Sequence, residues 1–160
     1  MAKASPSAIV NRTELVRLAD RCRKARQRIV FTNGVFDILH RGHLDLFEYC
    51  RKQGDIVVVG INTDASTRRL KGPSRPINRQ RDRARLVAAL KPVDCVCLFG
   101  EDTPLKLIIA LRPDVLVKGS EYATGDIVGA AEVKSWGGSV KRFRMRAGYS
   151  STAILKRISR

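Results

Sequence analysis

The sequence predicts a doubly wound α/β fold in which helices cover both faces of a five-stranded parallel sheet. Three observations lead to this prediction. Short, nearly continuous apolar segments recur along the chain, and segments with apolar residues at helical spacing separate them. Strands without an alternating polar face are buried on both sides, as in parallel sheets. No internal repeat or linker interrupts the alternation, so a single layered domain accounts for the chain.

Five segments have the apolar character of buried strands. They are expected at 28–32 (RIVFT), 55–61 (DIVVVGI), 93–99, 114–118 (DVLVK) and 139–144. In a parallel sheet the carboxyl ends of the strands meet at one edge. Ligands bind at that edge, near the point where the strand order reverses.

The helices are predicted from apolar spacing and from end signals. One is expected at 13–26, before the first strand, and five more at 42–53, 79–90, 103–111, 127–136 and 150–158. Pro92 closes the helix at 79–90, and Gly137-Gly138 is typical of a helix C-terminus. Ser150 is placed to cap the last helix. The segment 62–78 is polar and rich in Gly, Pro and charge, and its part 68–76 is expected to be a loop.

The length of 160 residues suits one domain with a single core. Residues 1–10 are expected to form a flexible tail, and residues 11–160 the domain, with the first helix as an N-terminal addition. No apolar run approaches the roughly 20 residues of a membrane span, and the start, MAKASPSAIVNR, lacks a secretory signal. A cytoplasmic protein without membrane contact is therefore expected.

The four cysteines are expected to be buried, reduced thiols. Cys95 and Cys97 lie two apart on a predicted strand and share one face. Cys22 and Cys50 lie in helical patterns with no second ligand nearby. This spacing fits neither a disulfide framework nor a zinc site.

The net charge of +16 favours anionic partners. Residues 141–160 carry seven basic side chains and no acidic one, which is compatible with nucleic-acid binding. However, arginines lie on nearly every predicted helix, and no aromatic residues alternate with them to stack on bases. A basic surface that attracts small anionic molecules is the favoured interpretation, and a nucleic acid is not the expected partner.

The only two histidines of the chain, His40 and His43, lie just after the first predicted strand, at the start of a helix. Residues three apart on a helix start face the same way, so both rings can point at one place. The free backbone N–H groups of a helix start attract anions, and Gly42 lets an anion approach closely. Histidine adds a donor whose charge can rise as negative charge develops on phosphorus. The pattern predicts a phosphate site.

Other phosphate-binding motifs are absent. The sequence has no G-x-G-x-x-G at the first helix, which argues against a dinucleotide cofactor, and no G-x-x-x-x-G-K-[ST] P-loop. A second set of donors is available in RRLKGPSRP, where Arg68, Arg69, Lys71 and Arg75 can close over a polyphosphate. The alternative is that this segment is a solvated linker.

The segment NGVFDILHRGHLDLF resembles the signature of the nucleotidyltransferase superfamily defined by its His-x-Gly-His motif. Further segments resemble the heptose-phosphate adenylyltransferases of ADP-heptose synthesis: INTDASTRRLKGPSRPIN, DRARLVAALKPVD, FGEDTPLKLIIALRPDVLVKGSEY, IVGAAEV and GGSV. The resemblance covers about 30–158. It implies a Rossmann-like fold and transfer of AMP from ATP to a heptose 1-phosphate for lipopolysaccharide core synthesis. Family members are free-standing or joined to a sugar kinase, and this length predicts a separate enzyme.

The resemblance implies roles for individual residues. His40, His43 and Lys71 are the implied catalytic groups, the histidines holding the ATP phosphates and stabilising the transition state at the α-phosphorus. Nucleotide contacts are further implied for Thr32, Asn33, Gly34, Phe36, Lys118, Gly119, Ser150, Ser151 and Thr152. Sugar-phosphate contacts are implied for Asp37, Asp64 and Arg75. GYSST matches the family pattern Gly-x-Ser-Thr-Thr, with Ser151 in place of the first threonine.

The implied reaction needs charge neutralisation rather than a general base. A sugar 1-phosphate is already an anion, so its oxygen can attack phosphorus without losing a proton. No acidic cluster encodes a metal cage, so no residue is predicted as a metal ligand and Mg²⁺ is expected to arrive with ATP. The resemblance also implies a homodimer.

Two other functions fit the sequence. A cytidylyltransferase acting on glycerol 3-phosphate or a similar polyol phosphate has the same fold and histidines, because base choice rests on contacts that a sequence does not encode clearly. A basic nucleic-acid-binding module, using the charged terminal segments, is the alternative from a different class.

Overall fold

Six parallel strands form one sheet in the computed structural model, which describes residues 8–119, 121 and 123–159. The strands are β1 Ala8–Val10, β2 Ile29–Gly34, β3 Ile56–Asn62, β4 Cys95–Phe99, β5 Val115–Gly119 and β6 Ser139–Phe143. Their order across the sheet is β1-β4-β3-β2-β5-β6, and every neighbouring pair is parallel. The predicted parallel α/β architecture is confirmed, and each predicted strand is present as one of β2 to β6.

The sixth strand corrects the prediction of five strands and of a flexible tail over 1–10. Ala8–Val10 pairs with β4, with Ala8 opposite Cys95 and Val10 opposite Cys97. Three residues are too few to show the apolar pattern of a buried strand, and this strand lies at an exposed edge, so the sequence gives little signal for it. The rest of the predicted tail, residues 1–7, lies outside the described residues.

Helices pack on both faces of the sheet. They are α1 Arg12–Lys24, α2 Arg41–Arg51, α3 Asp64–Lys71, α4 Gln80–Ala88, α5 Leu105–Leu111, α6 Ala130–Ser135 and α7 Ser151–Ile158, with a short 3₁₀ turn at Thr124–Asp126. One core layer joins α1, α5 and α6 to the sheet, and the other joins α2 and α4 to its opposite face. The strands are therefore covered on both sides, as their continuous apolar sequences require.

Helix α3, Asp64–Lys71, corrects the prediction that 68–76 is a loop, because it extends to Lys71. The Thr63 side chain accepts a hydrogen bond from Ser66 N at the start of this helix. Its buried residues are Ser66 and Thr67, whose hydroxyls donate to Glu101 O and Thr63 O. A helix whose buried side is polar has no apolar stripe, so its sequence resembles that of a loop.

The amino-terminal edge of the sheet is held together by aspartates. Backbone N–H groups at the starts of strands donate to the carboxylates of Asp55, Asp94 and Asp114, at 2.7 Å in each case. These carboxylates are occupied in joining neighbouring strands. Ligands of parallel α/β sheets bind at the opposite edge, at the carboxyl ends of the strands.

The opposite edge contains the point where strand order reverses. From β2 the chain proceeds outward through β3 and β4 on one side, and then through β5 and β6 on the other. The helices that follow β2 and β5 therefore diverge, and a crevice opens between the carboxyl ends of these two adjacent strands.

The cysteines are free and buried, as predicted, and burial raises the pKa of Cys50 and of Cys95 to about 12 in each case. Across the described residues, no helix has both the length and the apolar character required to cross a bilayer.

Candidate active site

A cavity of about 700 Å³ lies at the carboxyl edge of the sheet, over the crevice between β2 and β5. Its lining comes from the ends of β2, β3 and β5, the β2–α2 loop, the α3 end and the α7 start. Of the residues predicted to act in binding or catalysis, it brings together Thr32, Asn33, Gly34, Phe36, Asp37, His40, His43, Lys71, Arg75, Lys118, Gly119, Ser150, Ser151 and Thr152. Three of the predicted residues, Asp64, Arg68 and Arg69, do not line the cavity.

The two histidines lie side by side in this cavity. His40 is the N-cap of α2 in an extended conformation, and its carbonyl accepts a hydrogen bond of 3.0 Å from His43 N. The two imidazole rings stack with centroids 3.7 Å apart and planes inclined by 23°. This backbone geometry points both rings at one place, as predicted.

Both histidines are neutral at neutral pH. Burial lowers the pKa of His40, and burial together with the neighbouring His40 lowers the pKa of His43 to about 3. Bringing a second positive charge this close, away from water, is unfavourable. The site therefore holds two neutral rings that can each donate one N–H hydrogen bond.

Four buried polar atoms at this place have no hydrogen-bond partner within the described part of the chain. They are Thr32 Oγ1, Asn33 Oδ1, His40 Nδ1 and His43 Nδ1. Buried polar atoms in native proteins are nearly always paired, so unpaired ones in a group point to a ligand or water that completes them. The four atoms belong to the end of β2 and the start of α2.

The ring of Phe36 packs against the ring of His43. It contacts the His43 ring edge-on at a centroid distance of 5.1 Å and lies at the same distance from Phe47. The Phe36 backbone has a φ of 49°, in the left-handed region that is unfavourable for a bulky residue. A Cβ at Gly34 would lie 3.1 Å from the Phe36 ring, so any larger residue there would push the ring by a few tenths of an ångström.

Three basic side chains reach the cavity. Lys71 ends α3, Arg75 lies in the following loop, and Lys118 lies near the end of β5. Burial lowers the pKa of Lys118 to about 8, against a smaller opposing effect of Glu121. Its Nζ lies 3.5 Å from Asn33 O, so the ammonium lies between the two strands at the crevice.

Asp37 fixes the loop that carries Arg75. The carboxylate accepts hydrogen bonds from Arg75 Nε at 2.7 Å and from Ile77 N and Asn78 N at 2.9 Å. Burial alone would raise the pKa of Asp37, but the bonds from Asn78 and Ile77 and then the Arg75 guanidinium outweigh it and lower the pKa. Asp37 lines the cavity, but its carboxylate is largely occupied by this loop.

Asp64 is paired with a buried arginine instead of facing the cavity. Its Oδ1 accepts a hydrogen bond of 2.8 Å from Arg83, whose side chain is fully buried. Its backbone N–H donates to Gln80 Oε1 at 2.8 Å. The structure thus places Asp64 behind the cavity, at the junction of α3 and α4.

The start of α7 forms one wall of the cavity. The Ser150 side chain caps α7 by accepting from Ala153 N at 3.0 Å, as the sequence predicts. Ser151 Oγ donates to Ile38 O at 3.1 Å, which ties this wall to the β2–α2 loop. The ring of Tyr149 lies 6.2 Å from that of His40.

Several cavity residues were missed by the sequence analysis. Asn62 and the pair Asp102 and Thr103 line the cavity at or after the ends of β3 and β4, and Met145 and Tyr149 line it before α7. The first three could have been found, because residues just after parallel strands lie at the ligand-binding edge. No pattern in the sequence distinguishes Met145 or Tyr149.

The basic side chains of the segment 68–76 make two kinds of contact. Arg69 donates to Asp102 Oδ1 at 2.7 Å and to Gly100 O at 2.6 Å, and so ties α3 to the segment after β4. Lys71 and Arg75 line the cavity. The segment is therefore neither a solvated linker nor a loop that is directed entirely at the cavity.

A metal site requires ligating side chains that lie close together. Within the described residues, no three His, Cys, Asp or Glu side chains are grouped so as to hold a metal ion. Mg²⁺ commonly keeps several waters and is bound through substrate phosphates. The lining carries the cations Lys71, Arg75 and Lys118 and the carboxylates Asp37, Asp102, Glu121 and Asp126, of which Asp37 and Asp102 are already paired with Arg75 and Arg69.

The chain is similar to curated proteins along most of its length. A sequence profile described as cytidylyltransferase-like matches residues 31–157. The bifunctional protein HldE of Koribacter versatilis is 52% identical over 149 residues, which cover 93% of this chain and 31% of that protein. HldE of Methylobacillus flagellatus is 48% identical over 156 residues, which cover 98% of this chain and 32% of that protein. The chain spans about a third of the length of these relatives.

Solved structures show the same fold. The lipopolysaccharide core biosynthesis protein of Thermoplasma volcanium GSS1 aligns with a TM-score of 0.62 at 30% identity, covering 75% of this chain and 99% of that one. A pantoate–β-alanine ligase of Francisella tularensis aligns with a TM-score of 0.62 at 16% identity, covering 94% of this chain and 73% of that one. The second similarity concerns the fold alone.

Proposed function

The chain belongs to the cytidylyltransferase-like family, and from this premise we propose that it transfers AMP from ATP to a heptose 1-phosphate. The products are ADP-heptose and pyrophosphate, and the heptose is used for lipopolysaccharide core synthesis. The heptose branch is supported by the segments RLKGPSRPIN and RPDVLVKG and by identities of 52% and 48% to HldE proteins. The similarity to a lipopolysaccharide core biosynthesis protein supports it further.

One observation carries the proposal: in the part of the chain that the structure describes, four buried polar atoms at the end of β2 and the start of α2 have no hydrogen-bond partner, next to the reversal point of the sheet. Two of them belong to stacked neutral histidines, and the cationic side chains of Lys71, Arg75 and Lys118 line the same cavity. Such a site offers hydrogen bonds and positive charge to a polyanion.

The proposed reaction is an in-line displacement at the α-phosphorus of ATP. A phosphate oxygen of the sugar forms a new P–O bond, while the bond from the α-phosphorus to the oxygen bridging to the β-phosphate breaks. Pyrophosphate leaves with the electron pair of that bond. The attacking oxygen is already an anion, so the protein has to align two polyanions and neutralise charge, and no proton has to be removed.

His40 and His43 are proposed to contact the ATP phosphates. Burial keeps both rings neutral before the nucleotide binds, and a bound polyanion raises the pKa of any ring it touches. Hydrogen bonds from the rings strengthen as negative charge moves onto the leaving group. This difference between ground state and transition state is the proposed source of catalysis.

The nucleoside and the sugar phosphate are proposed to occupy different parts of the cavity. Lys118 and Gly119 at the end of β5, with Ser150–Thr152 at the start of α7, border the nucleotide. Lys71 and Arg75 border the sugar phosphate, with Asp37 holding Arg75 in place. Mg²⁺ is proposed to arrive on the ATP phosphates, where it neutralises part of their charge.

The test measures pyrophosphate release with each combination of nucleoside triphosphate and phosphate acceptor. The protein is incubated with Mg²⁺, each of the four nucleoside triphosphates and either heptose 1-phosphate or glycerol 3-phosphate, and pyrophosphate release is followed. We expect release with ATP and heptose 1-phosphate. Release only with CTP and glycerol 3-phosphate would overturn the heptose proposal in favour of the polyol-phosphate cytidylyltransferase.

A double variant separates catalysis from nucleic-acid binding. Replacing His40 and His43 by alanine should abolish nucleotide transfer, because both phosphate contacts are lost. Binding to DNA driven by surface charge should keep its affinity and its dependence on salt, because neither ring carries charge at neutral pH. If the parent protein releases no pyrophosphate but binds DNA tightly and with base preference, the enzyme proposal fails.

Two secondary proposals concern setting and assembly. We propose a cytoplasmic location, because buried free thiols are typical of reducing compartments. A homodimer is proposed from the family resemblance alone.

A further inference from the structure

Arg83 is a buried cation that does not line the cavity. It lies on α4, where Arg81 and Arg85 on either side are exposed, whereas Arg83 has an exposed fraction of 1%. Burying a guanidinium is costly unless its donors are paired. The donor nitrogens of Arg83, which an apolar residue on this inward side of α4 would lack, therefore need partners inside the protein.

The guanidinium of Arg83 joins three segments of the chain. Its Nη1 donates to Val35 O at 2.6 Å, its Nε to Asn78 O at 2.9 Å and its Nη2 to Asp64 Oδ1 at 2.8 Å. Val35 belongs to the β2–α2 loop, Asn78 to the loop before α4, and Asp64 to the first turn of α3. All three nitrogens thus have a partner, and one of the partners is an anion.

Val35 connects this network to a catalytic histidine. The next residue, Phe36, is held in a left-handed conformation, and its ring contacts the His43 ring at 5.1 Å. A strained residue keeps its conformation only where neighbouring bonds fix it. The bond from Arg83 to Val35 O fixes the peptide that leads into Phe36, and Phe36 in turn limits where the His43 ring can lie.

Asn78 connects the network to the other wall of the cavity. Its backbone N–H and its Nδ2 both donate to Asp37, to the carboxylate at 2.9 Å and to the carbonyl at 2.7 Å. Asp37 also receives Arg75, which lines the cavity. The segments carrying His43 and Arg75 are therefore tied to each other through Asp37 and again through Arg83.

We propose that Arg83 is a positioning residue for nucleotidyl transfer, which holds Val35 and Phe36 so that His43 lies in its reactive place. Asp64 is the counter-ion of Arg83 and acts through it, not through the acceptor sugar. This inference rests on the proposed function of the cavity. Lysine cannot replace arginine here, because a single ammonium cannot reach three acceptors arranged around a planar fork.

The test compares Arg83→Lys and Arg83→Met with Arg85→Lys and Arg85→Met, which change an exposed arginine of the same helix. In the Arg83 variants we expect kcat to fall about 10- to 100-fold, because a misplaced catalytic group loses rate steeply with distance. The KM for ATP should change by less than about threefold, because the other phosphate contacts remain. The Arg85 variants should match the parent in both constants.

A second readout needs no activity. Because the chain has two histidines, its imidazole NMR spectrum contains two sets of ring signals. Loss of the Arg83 support should shift the His43 signals in the Arg83 variants, and the Arg85 variants should leave them in place. If the parent proves inactive with every substrate tested, the proposed function fails, and this shift still decides whether Arg83 positions His43.

Asp64→Asn completes the test and serves if the Arg83 variants do not fold. The amide oxygen of asparagine can still accept from Arg83, so we expect the KM for heptose 1-phosphate to stay within about threefold of the parent. A tenfold or larger rise in that KM would overturn the assignment of Asp64. Folded Arg83 variants with parental kcat and unshifted His43 signals would overturn the assignment of Arg83.

Discussion

The imidazole rings of His40 and His43 stack at a centroid distance of 3.7 Å, and neither ring has a partner for its buried Nδ1 among the described residues. Two charged rings at this distance would repel each other, and burial already lowers the pKa of both. The two rings are therefore neutral, and their Nδ1 atoms lack hydrogen-bond partners among the described residues. A bound polyanion can form hydrogen bonds with the rings and favour their protonation.

Replacing either histidine by alanine should remove catalysis and spare the fold. We expect His43→Ala to lower kcat by about 10²- to 10³-fold, the usual effect of losing one donor to transition-state charge. Steady-state pyrophosphate release measures kcat, and circular dichroism measures the folded state. A His43→Ala protein that is folded and keeps parental kcat would contradict the proposed role.

Gly42→Ala should lower activity without unfolding the protein. Alanine is favoured over glycine inside a helix by about 1 kcal/mol, which would stabilise α2. However, its Cβ would lie 3.0 Å from Cε1 and Nδ1 of His40 and 3.2 Å from Cε of Met145, so the His40 ring must move. We expect kcat to fall at least about tenfold, with little change in the thermal midpoint.

The matched control for Gly42→Ala is Glu48→Ala, on the exposed side of the same helix. It should keep parental kcat, because Glu48 does not line the cavity. Equal kcat for Gly42→Ala and the parent would show that His40 tolerates the displacement.

His43 should make the fold less stable in acid. Its pKa is about 3 in the folded protein, against an ordinary value of 6.5 that applies when unfolded. Between these values the unfolded chain takes up a proton that the folded chain does not. The free energy of unfolding therefore falls as pH drops from 6.5 toward 3, by at most about 1.4 kcal/mol per pH unit. Above pH 6.5 His43 is neutral in both the folded and the unfolded protein, so it does not make the free energy of unfolding depend on pH.

Urea unfolding at pH 7.5, 6.5, 5.5 and 4.5 measures this slope. In His43→Asn the contribution of His43 is absent, so the loss of stability between pH 6.5 and 4.5 should be smaller than in the parent. The absolute stabilities of the two proteins can differ without affecting this comparison. Identical slopes would mean that His43 is not buried as a neutral ring.

Lys118 should make nucleotide binding dependent on pH in the alkaline range. Its pKa is about 8 because the ammonium is buried, and a bound triphosphate favours the protonated form. Above pH 8 the free protein has lost this proton and must regain it on binding ATP. Affinity should therefore fall by up to about tenfold per pH unit between pH 8 and 9 and be nearly constant below pH 7.

Titration calorimetry with ATP at pH 7, 8 and 9 measures the affinity of the parent and of Lys118→Met. The variant should bind more weakly at pH 7 and show a flatter dependence on pH. A parental affinity that is unchanged from pH 7 to 9 would show that Lys118 does not contact the phosphates.

The sequence was most informative where the apolar pattern was continuous. The strands β2 to β5 are buried on both faces, so their residues had to be apolar, and this placed His40 and His43 after β2, at the start of the next helix. Once parallel pairing was inferred, the location of the cavity followed, since every strand ends at the same edge.

The parts that were missed are those held by polar contacts. Helix α3 buries Ser66 and Thr67, and Arg83 is buried through three hydrogen bonds to Val35, Asn78 and Asp64. A charged or hydroxyl-bearing residue in a sequence is read as exposed, because its partners are brought to it only by the fold. For the same reason the sequence does not show that Asp64 pairs with Arg83.

Helix α7 contains no fully buried residue, although its first turn forms one wall of the cavity. A segment with few buried apolar contacts can detach at a small cost in free energy while both core layers stay packed. Substitutions in the exposed turns of α7 should therefore change the wall of the cavity more than the free energy of unfolding, which depends on the two core layers.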